Sequence, residues 1–245
     1  TYSYVFKTNI SNVVTPVGKK PIRYDRTLTH RVSMMMGGKT GPTADATFDF
    51  VPNGSPIKET RNIVSTEVCK SCHGSDFHGH DGDQLSVETC VTCHGPDSSD
   101  PQSGETVDFK VMIHKIHAGG ELAGIRGPDG LLWDNPATPA NESADNGSYA
   151  SWGNNNTKHE RWKVEFPAVI ANCTKCHQGK GSDVYNWKKV PSRAACGSCH
   201  DTVNFDTGTK HPGGPQATDA ACGTCHPPSG TATGITEVHD WMAKD

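Results

Sequence analysis

Every cysteine in the chain belongs to one repeated pentapeptide, Cys-x-x-Cys-His. It occurs five times: Cys69-Lys70-Ser71-Cys72-His73, Cys90-Val91-Thr92-Cys93-His94, Cys173-Thr174-Lys175-Cys176-His177, Cys196-Gly197-Ser198-Cys199-His200 and Cys222-Gly223-Thr224-Cys225-His226. Cysteines three apart make a poor disulfide scaffold, because each bridge closes a loop too small to restrain the unfolded chain. Zinc ribbons use the same pair spacing, but they take pairs in twos and have no need of a histidine right after the second cysteine. Five pairs are an odd number, and the histidine is present every time. A thioredoxin-like motif comes singly beside a βαβ pattern, which is absent here. What remains is the attachment signature of a c-type haem: two thiols add to the vinyl groups, and the next residue is held below the iron as its proximal ligand. The sequence therefore predicts five covalently attached haem c groups, with His73, His94, His177, His200 and His226 as proximal ligands.

Composition fits a chain whose core is partly not protein. Hydrophobic residues make up 33% of it, with 26 glycines and 16 prolines, and mean hydropathy is −0.60. A chain of 245 residues is long enough to bury a core, yet this one is short of side chains to fill it. Porphyrins would supply the missing apolar surface, so folding is expected to depend on them as small metal domains depend on their metal. The expected fold is mostly irregular, with short α-helices built around five c-type haems, plus a small N-terminal β-strand arm.

The arm is expected over residues 1–65 and the pentahaem domain over residues 66–245. In the arm, Tyr2 to Ile10, Leu28 to Met36 and Thr47 to Val51 read as strands, with breakers from Gly37 to Pro42 and a turn at Pro52-Asn53-Gly54-Ser55. Such an arm could be the edge of a neighbouring domain, wrap the haem domain, or pair with another chain. Beyond residue 66 the motif spacing is irregular, so no solenoid repeat is present. Val107 to His117 reads as a helix stopped by Gly119-Gly120, Gly127 to Asn156 as a long surface loop, and Ile235 to Met242 as a short C-terminal helix.

Proximal histidines leave each iron an open sixth position, so the other eight of the 13 histidines decide the chemistry. A surface role is the simple alternative for any one of them. Their number exceeds the five required, which allows every iron two histidines, a state suited to electron transfer and closed to substrate. His114 and His117 stand three apart on the predicted helix, on one face but about a turn apart, so they would reach two different haems. His78 and His80 flank Gly79 in a loop after the first motif, and one of them is expected to be a ligand. His211 precedes the turn Pro212-Gly213-Gly214, which could aim it inward. His239 lies on the C-terminal helix, His30 lies mid-strand in the arm, and His159 sits among charged residues where a surface role is the simpler reading. Bis-histidine ligation predicts low potentials, and the methionines do not look like axial ligands.

Other features narrow the class by exclusion. A net charge of −4 gives no basic signal, so nucleic acid is not an expected partner. No run of 18 apolar residues exists to span a membrane. Haem attachment of this type occurs outside the cytoplasm, so an export signal is expected to have been removed, or the chain to be part of a larger exported protein. Calcium is a weak candidate at Asp81-Gly82-Asp83 and Asp145-Asn146; the spacing does not fit an EF-hand, and surface turns explain these residues more simply.

Certain phrases resemble a known family. The five motifs, Val91-Thr92-Cys93-His94-Gly95-Pro96, Val107-Asp108-Phe109-Lys110-Val111-Met112-Ile113-His114-Lys115-Ile116-His117 and His211-Pro212-Gly213-Gly214 are similar to the outer-membrane decahaem cytochromes of the OmcA/MtrC type. The likeness covers roughly residues 25 to 245. It implies a pentahaem half of such a protein, with bis-histidine haems in a staggered, branched wire at the cell surface. Expected partners are other multihaem cytochromes, flavins or metal-oxide acceptors. By position, it supports His114, His117, His211 and one of His78 and His80 as distal ligands, and leaves His30 and His239 competing for the fifth. A pentahaem reductase with one open haem is a second reading, weakened because no Cys-x-x-Cys-Lys occurs. A third is a filament protomer that self-assembles through its N-terminal strand arm.

Overall fold

A computed structural model describes residues 3–12, 23–37, 41–123, 149–153, 157–161, 163–180 and 182–240. The chain forms two compact units, one of residues 1–61 and 78–92, the other of residues 62–77 and 93–245. Regular structure is sparse in both, as expected for this fold class, and among the described residues the strands form two two-stranded sheets and no barrel.

The first unit is built on an antiparallel hairpin, β1 (His30–Met36) with β2 (Ala44–Phe50). Its register pairs Arg31 with Asp49 and Met35 with Asp45. The hairpin's faces are unusual. The half-buried positions of β2 are Asp45, Thr47, Asp49 and Phe50, while Ala44, Ala46 and Phe48 are exposed. Charge therefore lies on the covered face, and it must be satisfied there. Arg31 does so with a two-pronged pair to Asp49 (Nε to Oδ1 2.7 Å, Nη2 to Oδ2 2.8 Å) and a further donation from Nη2 to the Thr60 carbonyl. Asp45 Oδ2 accepts from the Leu85 and Ser86 N–H groups and from Ser86 Oγ. This carboxylate fixes the approach to α2 (Val87–Cys93), the helix that carries Cys90 and Cys93.

Of the strand expected at Tyr2 to Ile10, the described residues 3–10 form none. Residues 3–9 are irregular, a single 3-10 turn follows at Ile10–Asn12, and Tyr4 and Phe6 are 71% and 66% exposed. An alternating pattern makes a strand only where a neighbour completes the hydrogen-bond ladder and covers one face, and no such pairing forms among the described residues.

In the second unit, α1 (Thr66–His73) holds the first motif and α3 (Phe109–Ala118) is the longest helix. Asp108 caps α3 by accepting from Lys110 N–H, so the helix starts two residues later than the sequence pattern suggests. It ends at Gly119, whose φ of 39° is in the left-handed region and whose Cβ, if it had one, would meet the Val164 carbonyl oxygen. Only glycine is comfortable there. A short hairpin, β3 (Ala150–Gly153) with β4 (Thr157–Glu160), interrupts the segment expected to be one long loop; the rest of that expected loop lies mostly outside the described residues. Tyr149, just before β3 and 1% exposed, donates its hydroxyl to the Thr106 carbonyl at 2.7 Å. Trp152 N–H donates to Asp100 Oδ2.

Four short helices follow: α4 (Asn186–Lys189), α5 (Arg193–Gly197), α6 (Cys222–Cys225) and α7 (Ile235–Val238). Residues beyond 240 in the expected C-terminal helix lie outside the described set. Arg193 ties this region together, pairing with Asp206 and Asp219 and donating to the Gln216 carbonyl. Buried apolar side chains are few among the described residues: Val51 and Val87 in the first unit, and Val111, Ala118, Leu122, Tyr149, Ala150, Val184 and Ile235 in the second. Among the described residues no helix is long and apolar enough to cross a membrane.

Candidate haem-binding site

The motif cysteines sit on the first available turn of structure in each case. Cys69 and Cys72 lie in α1, Cys90 and Cys93 in α2, Cys173 in a 3-10 turn capped by Asn172, Cys196 in α5, and Cys222 and Cys225 in α6. None of the ten is joined to another in a disulfide. Burial would push an unattached thiol at Cys173 or Cys176 above its ordinary pKa. Among the described residues, no group of three or more His, Cys, Asp or Glu side chains is placed to hold a metal ion. Asp145, one of the calcium candidates, lies outside those residues.

Histidines, by contrast, come together in pairs. Within the second unit His73 faces His117 with ring centres 6.0 Å apart, and His177 faces His114 at 6.1 Å. His200 faces His239 at 6.2 Å and His226 faces His211 at 6.5 Å. Each pair joins a motif histidine to one that belongs to no motif. The spacing has a physical meaning. A metal–imidazole bond of about 2 Å, plus roughly 1.2 Å from ring nitrogen to ring centre, puts two axial rings on one metal roughly 6.3 Å apart. Stacked rings in direct contact have no reason to share that value four times.

Ring nitrogens are oriented as well. A carbonyl can only accept, so wherever Nδ1 meets one it carries the proton, and Nε2 is left with a lone pair for a metal. His117 Nδ1 donates to the Ile113 carbonyl and His239 Nδ1 to the Ile235 carbonyl, both at 2.9 Å and four residues back along a helix. His211 Nδ1 donates to Gly214 O at 2.7 Å, His226 Nδ1 to Thr233 O at 3.1 Å, and His94 Nδ1 to Val107 O at 2.9 Å. Metal ligation also needs neutral imidazole. Burial, then the neighbouring His114, holds His177 down to about 4, and burial lowers His114 and His117 too.

The remaining candidates are placed differently. His30 packs between Tyr24 and Phe50, and its Nε2 donates to the Asp25 carbonyl at 2.9 Å. Its outer nitrogen is thus engaged by the backbone. His78 and His80 flank Gly79, whose N–H donates to Gln84 O and closes a small turn. Both are exposed, and His80 takes φ 47°, an uncommon conformation for a side-chain-bearing residue. His159 lies on β4 with its ring over Gly153.

Residues 61–240 match the family of outer membrane cytochromes, MtrC/MtrF-like, domains II/IV. The chain belongs to that family. This cytochrome is 26% identical over 217 residues to the multiheme cytochrome MtrC of Shewanella baltica (strain OS185), a match covering 86% of this chain and 25% of that protein. Among solved structures it resembles the outer membrane decaheme cytochrome OmcA, with a TM-score of 0.71 and 28% identity over 98% of this chain and 32% of that one. It also shares the fold of MtrC from Shewanella baltica OS185, with a TM-score of 0.61 and 24% identity over 97% of this chain and 31% of the other. The cytochrome therefore spans between a quarter and a third of these relatives. Membership of an outer membrane family places it outside the cytoplasm, and covalent haem c is its cofactor.

The residues fit that cofactor: paired rings stand at the axial separation, and the Nδ1 donations leave Nε2 for iron. What sequence reading missed was the set of acceptors. Ile113 and Ile235 could have been inferred, since any helical histidine can reach back four residues. Val107, Gly214 and Thr233 act through backbone carbonyls in turns and carry no side-chain signal.

Proposed function

We propose that the cytochrome holds five haems c, each closed by two histidines, and conducts electrons toward extracellular acceptors or partner cytochromes. The observation that carries this is the four histidine pairs at 6.0, 6.1, 6.2 and 6.5 Å. In this reading His117, His114, His239 and His211 are the distal ligands of the haems attached by the first, third, fourth and fifth motifs. The fifth distal ligand comes from His78 or His80, with the left-handed φ of His80 marking it as the stronger of the two. His30 is left to its structural bond with Asp25.

Haem supplies a one-electron ferric/ferrous couple. The paired histidines His73 and His117, His177 and His114, His200 and His239, and His226 and His211 would hold the haems with two imidazoles each, which would leave no ligand position for a substrate. Helix α3 has a particular part, because it presents His114 and His117 to two different motifs and fixes their separation. An electron carrier follows more naturally from this than a reductase, and partner cytochromes, flavins or metal oxides are the acceptors that the family suggests.

The test is spectroscopic. The oxidised protein should be entirely low-spin, and the mass of the attached haems should correspond to five. His114→Ala and His117→Ala should each turn about one-fifth of the haem high-spin, and the double variant about two-fifths. A high-spin fraction in the unaltered protein, or two single variants that affect the same haem, would overturn the assignment.

A further inference from the structure

His94 differs from His117 and His239 in where its acceptor comes from. Those two donate Nδ1–H to carbonyls four residues back in their own helices, acceptors that exist wherever the helix does. His94 stands just beyond α2 and donates instead to the Val107 carbonyl, 13 residues on, at 2.9 Å. That acceptor is only as well placed as the turn that carries it.

The turn is pinned from two directions. From within, Val107 N–H and Thr106 Oγ1 donate to the Ser98 carbonyl at 2.9 and 3.2 Å, and Asp100 N–H donates to the Glu105 carbonyl at 2.8 Å. From outside come two bonds from the chain around β3. Tyr149 Oη donates to the Thr106 carbonyl at 2.7 Å, and Trp152 N–H donates to Asp100 Oδ2 at 3.0 Å. Arg161 N–H, just past β4, returns to the Tyr149 carbonyl at 3.2 Å and closes the hairpin on that residue.

Tyr149 is suited to act as a permanent donor. It is 1% exposed, and burial, then the Glu105 charge, pushes its phenol up to about 12, so the hydroxyl keeps its proton. Lys115 steadies the ring from α3, with Nζ 5.6 Å from the ring centre and 3.7 Å from Glu105 Oε2. The carbonyl that the hydroxyl engages belongs to the peptide joining Thr106 to Val107. Peptide units are planar, so rotating that plane swings the next carbonyl, the one His94 uses.

We propose that Tyr149 is a positioning residue for His94. By holding the Thr106 carbonyl it fixes the Val107 carbonyl on Nδ1, which keeps the imidazole in the tautomer that leaves Nε2 for iron and sets its basicity. The β3–β4 hairpin thereby supports the haem of the second motif, although neither strand carries a motif or a proposed ligand. The inference rests on reading His94 as that haem's proximal ligand.

Tyr149→Phe in the holoprotein tests this, since it keeps the ring and removes only the hydroxyl. Proton NMR of the oxidised protein reads the exchangeable Nδ1–H of His94, recognised by its neighbour Phe109, whose ring centre stands 6.4 Å away. In the variant that proton should exchange roughly 2–10-fold faster, the factor that one net hydrogen bond is worth. Followed through the same signal during stepwise reduction, this haem's midpoint should rise, because a less basic imidazole favours ferric iron less, while the other haems stay unmoved. A packing role alone would leave the His94 signal as it was, and that result, or an equal change at every haem, would overturn the proposal. Should the variant fail to fold, exchange in the unaltered protein decides. The His94 ring proton and the Val107 amide should respond to added denaturant in parallel with the Trp152 and Arg161 amides, as one opening; independent responses would overturn it. Absence of any haem-shifted His94 signal in the unaltered protein would instead sink the ligand reading itself.

Discussion

The two units solve the same problem, too few apolar side chains, by different means. In the first, carboxylates gather donors: Asp49 takes Arg31, and Asp45 takes two backbone N–H groups and a hydroxyl at the start of α2. In the second, histidines are brought together in pairs at a metal's axial spacing. The lesson is that the first unit's order comes from the chain alone, whereas the second places its strongest groups where only a cofactor makes them useful. Buried charge held by good hydrogen bonds keeps a hairpin in place; paired neutral imidazoles stabilise little until a metal joins them.

The largest test of that contrast blocks haem attachment. Protein made without haem insertion is expected to lose helical circular dichroism and amide protection over residues 93–123 and 182–240, while amides of β1 and β2 keep a measurable fraction of theirs. Equal loss in both units would break the comparison. Next in size is Gly119→Val. A side chain at φ 39° costs about 1–2 kcal/mol for its left-handed conformation alone, before its collision with the Val164 carbonyl is counted. The end of α3 must then shift, and His117 with it, so the visible spectrum should change for the haem proposed to take His117 and the melting temperature should fall.

Much of this arrangement was legible beforehand, and the failures have a common cause. Cysteine spacing names the proposed attachment sites because the pentapeptide is chemistry, independent of fold. The predicted strands at Leu28 to Met36 and Thr47 to Val51 appear as β1 and β2, since the Gly37 to Pro42 breaker lets them pair with each other. Tyr2 to Ile10 had the same alternation, but its described residues 3–10 have no strand partner among the described residues and are not a strand. The helix around His114 and His117 was visible because ten residues show a period. Helices of four residues, such as α4, α6 and α7, are too short to show one. Which histidine faces which is a long-range property, set by how turns fold back, and spacing along the chain carries no record of it.

Asp49→Asn is the middle-sized test, and it belongs to the first unit. With Arg31 and Asp49 only 13% and 17% exposed, removing one charge leaves the other poorly hydrated and should cost about 2–3 kcal/mol in hairpin stability. Hydrogen exchange at the β1–β2 amides would read it. The haem spectrum should not move; if it did, the units would be less separate in their energetics than the two modes of support imply.

The smallest expected effect is also the one that treats the units alike. Each contains a carboxylate that collects several donors. Asp45 takes Leu85, Ser86 and the Ser86 hydroxyl, while Asp100 takes the Gln102, Ser103 and Trp152 N–H groups and the Ser103 hydroxyl. Burial would raise both carboxyls, but the donated hydrogen bonds outweigh it and hold each below its ordinary value. A lowered folded-state pKa means the unfolded chain binds protons first as acid is added. The stability each contributes is therefore fully present above the unfolded value of about 3.9 and is lost as pH falls through the folded one. Between about pH 5 and 3, exchange at Ser86 and at Trp152 should quicken, and Asp45→Asn and Asp100→Asn should each flatten the acid response only in its own unit. If Asp100→Asn also flattened the response at Ser86, the carboxylates would be reporting one cooperative unfolding event, and the contrast between a unit held by its own charges and one held through its histidines would have to be given up.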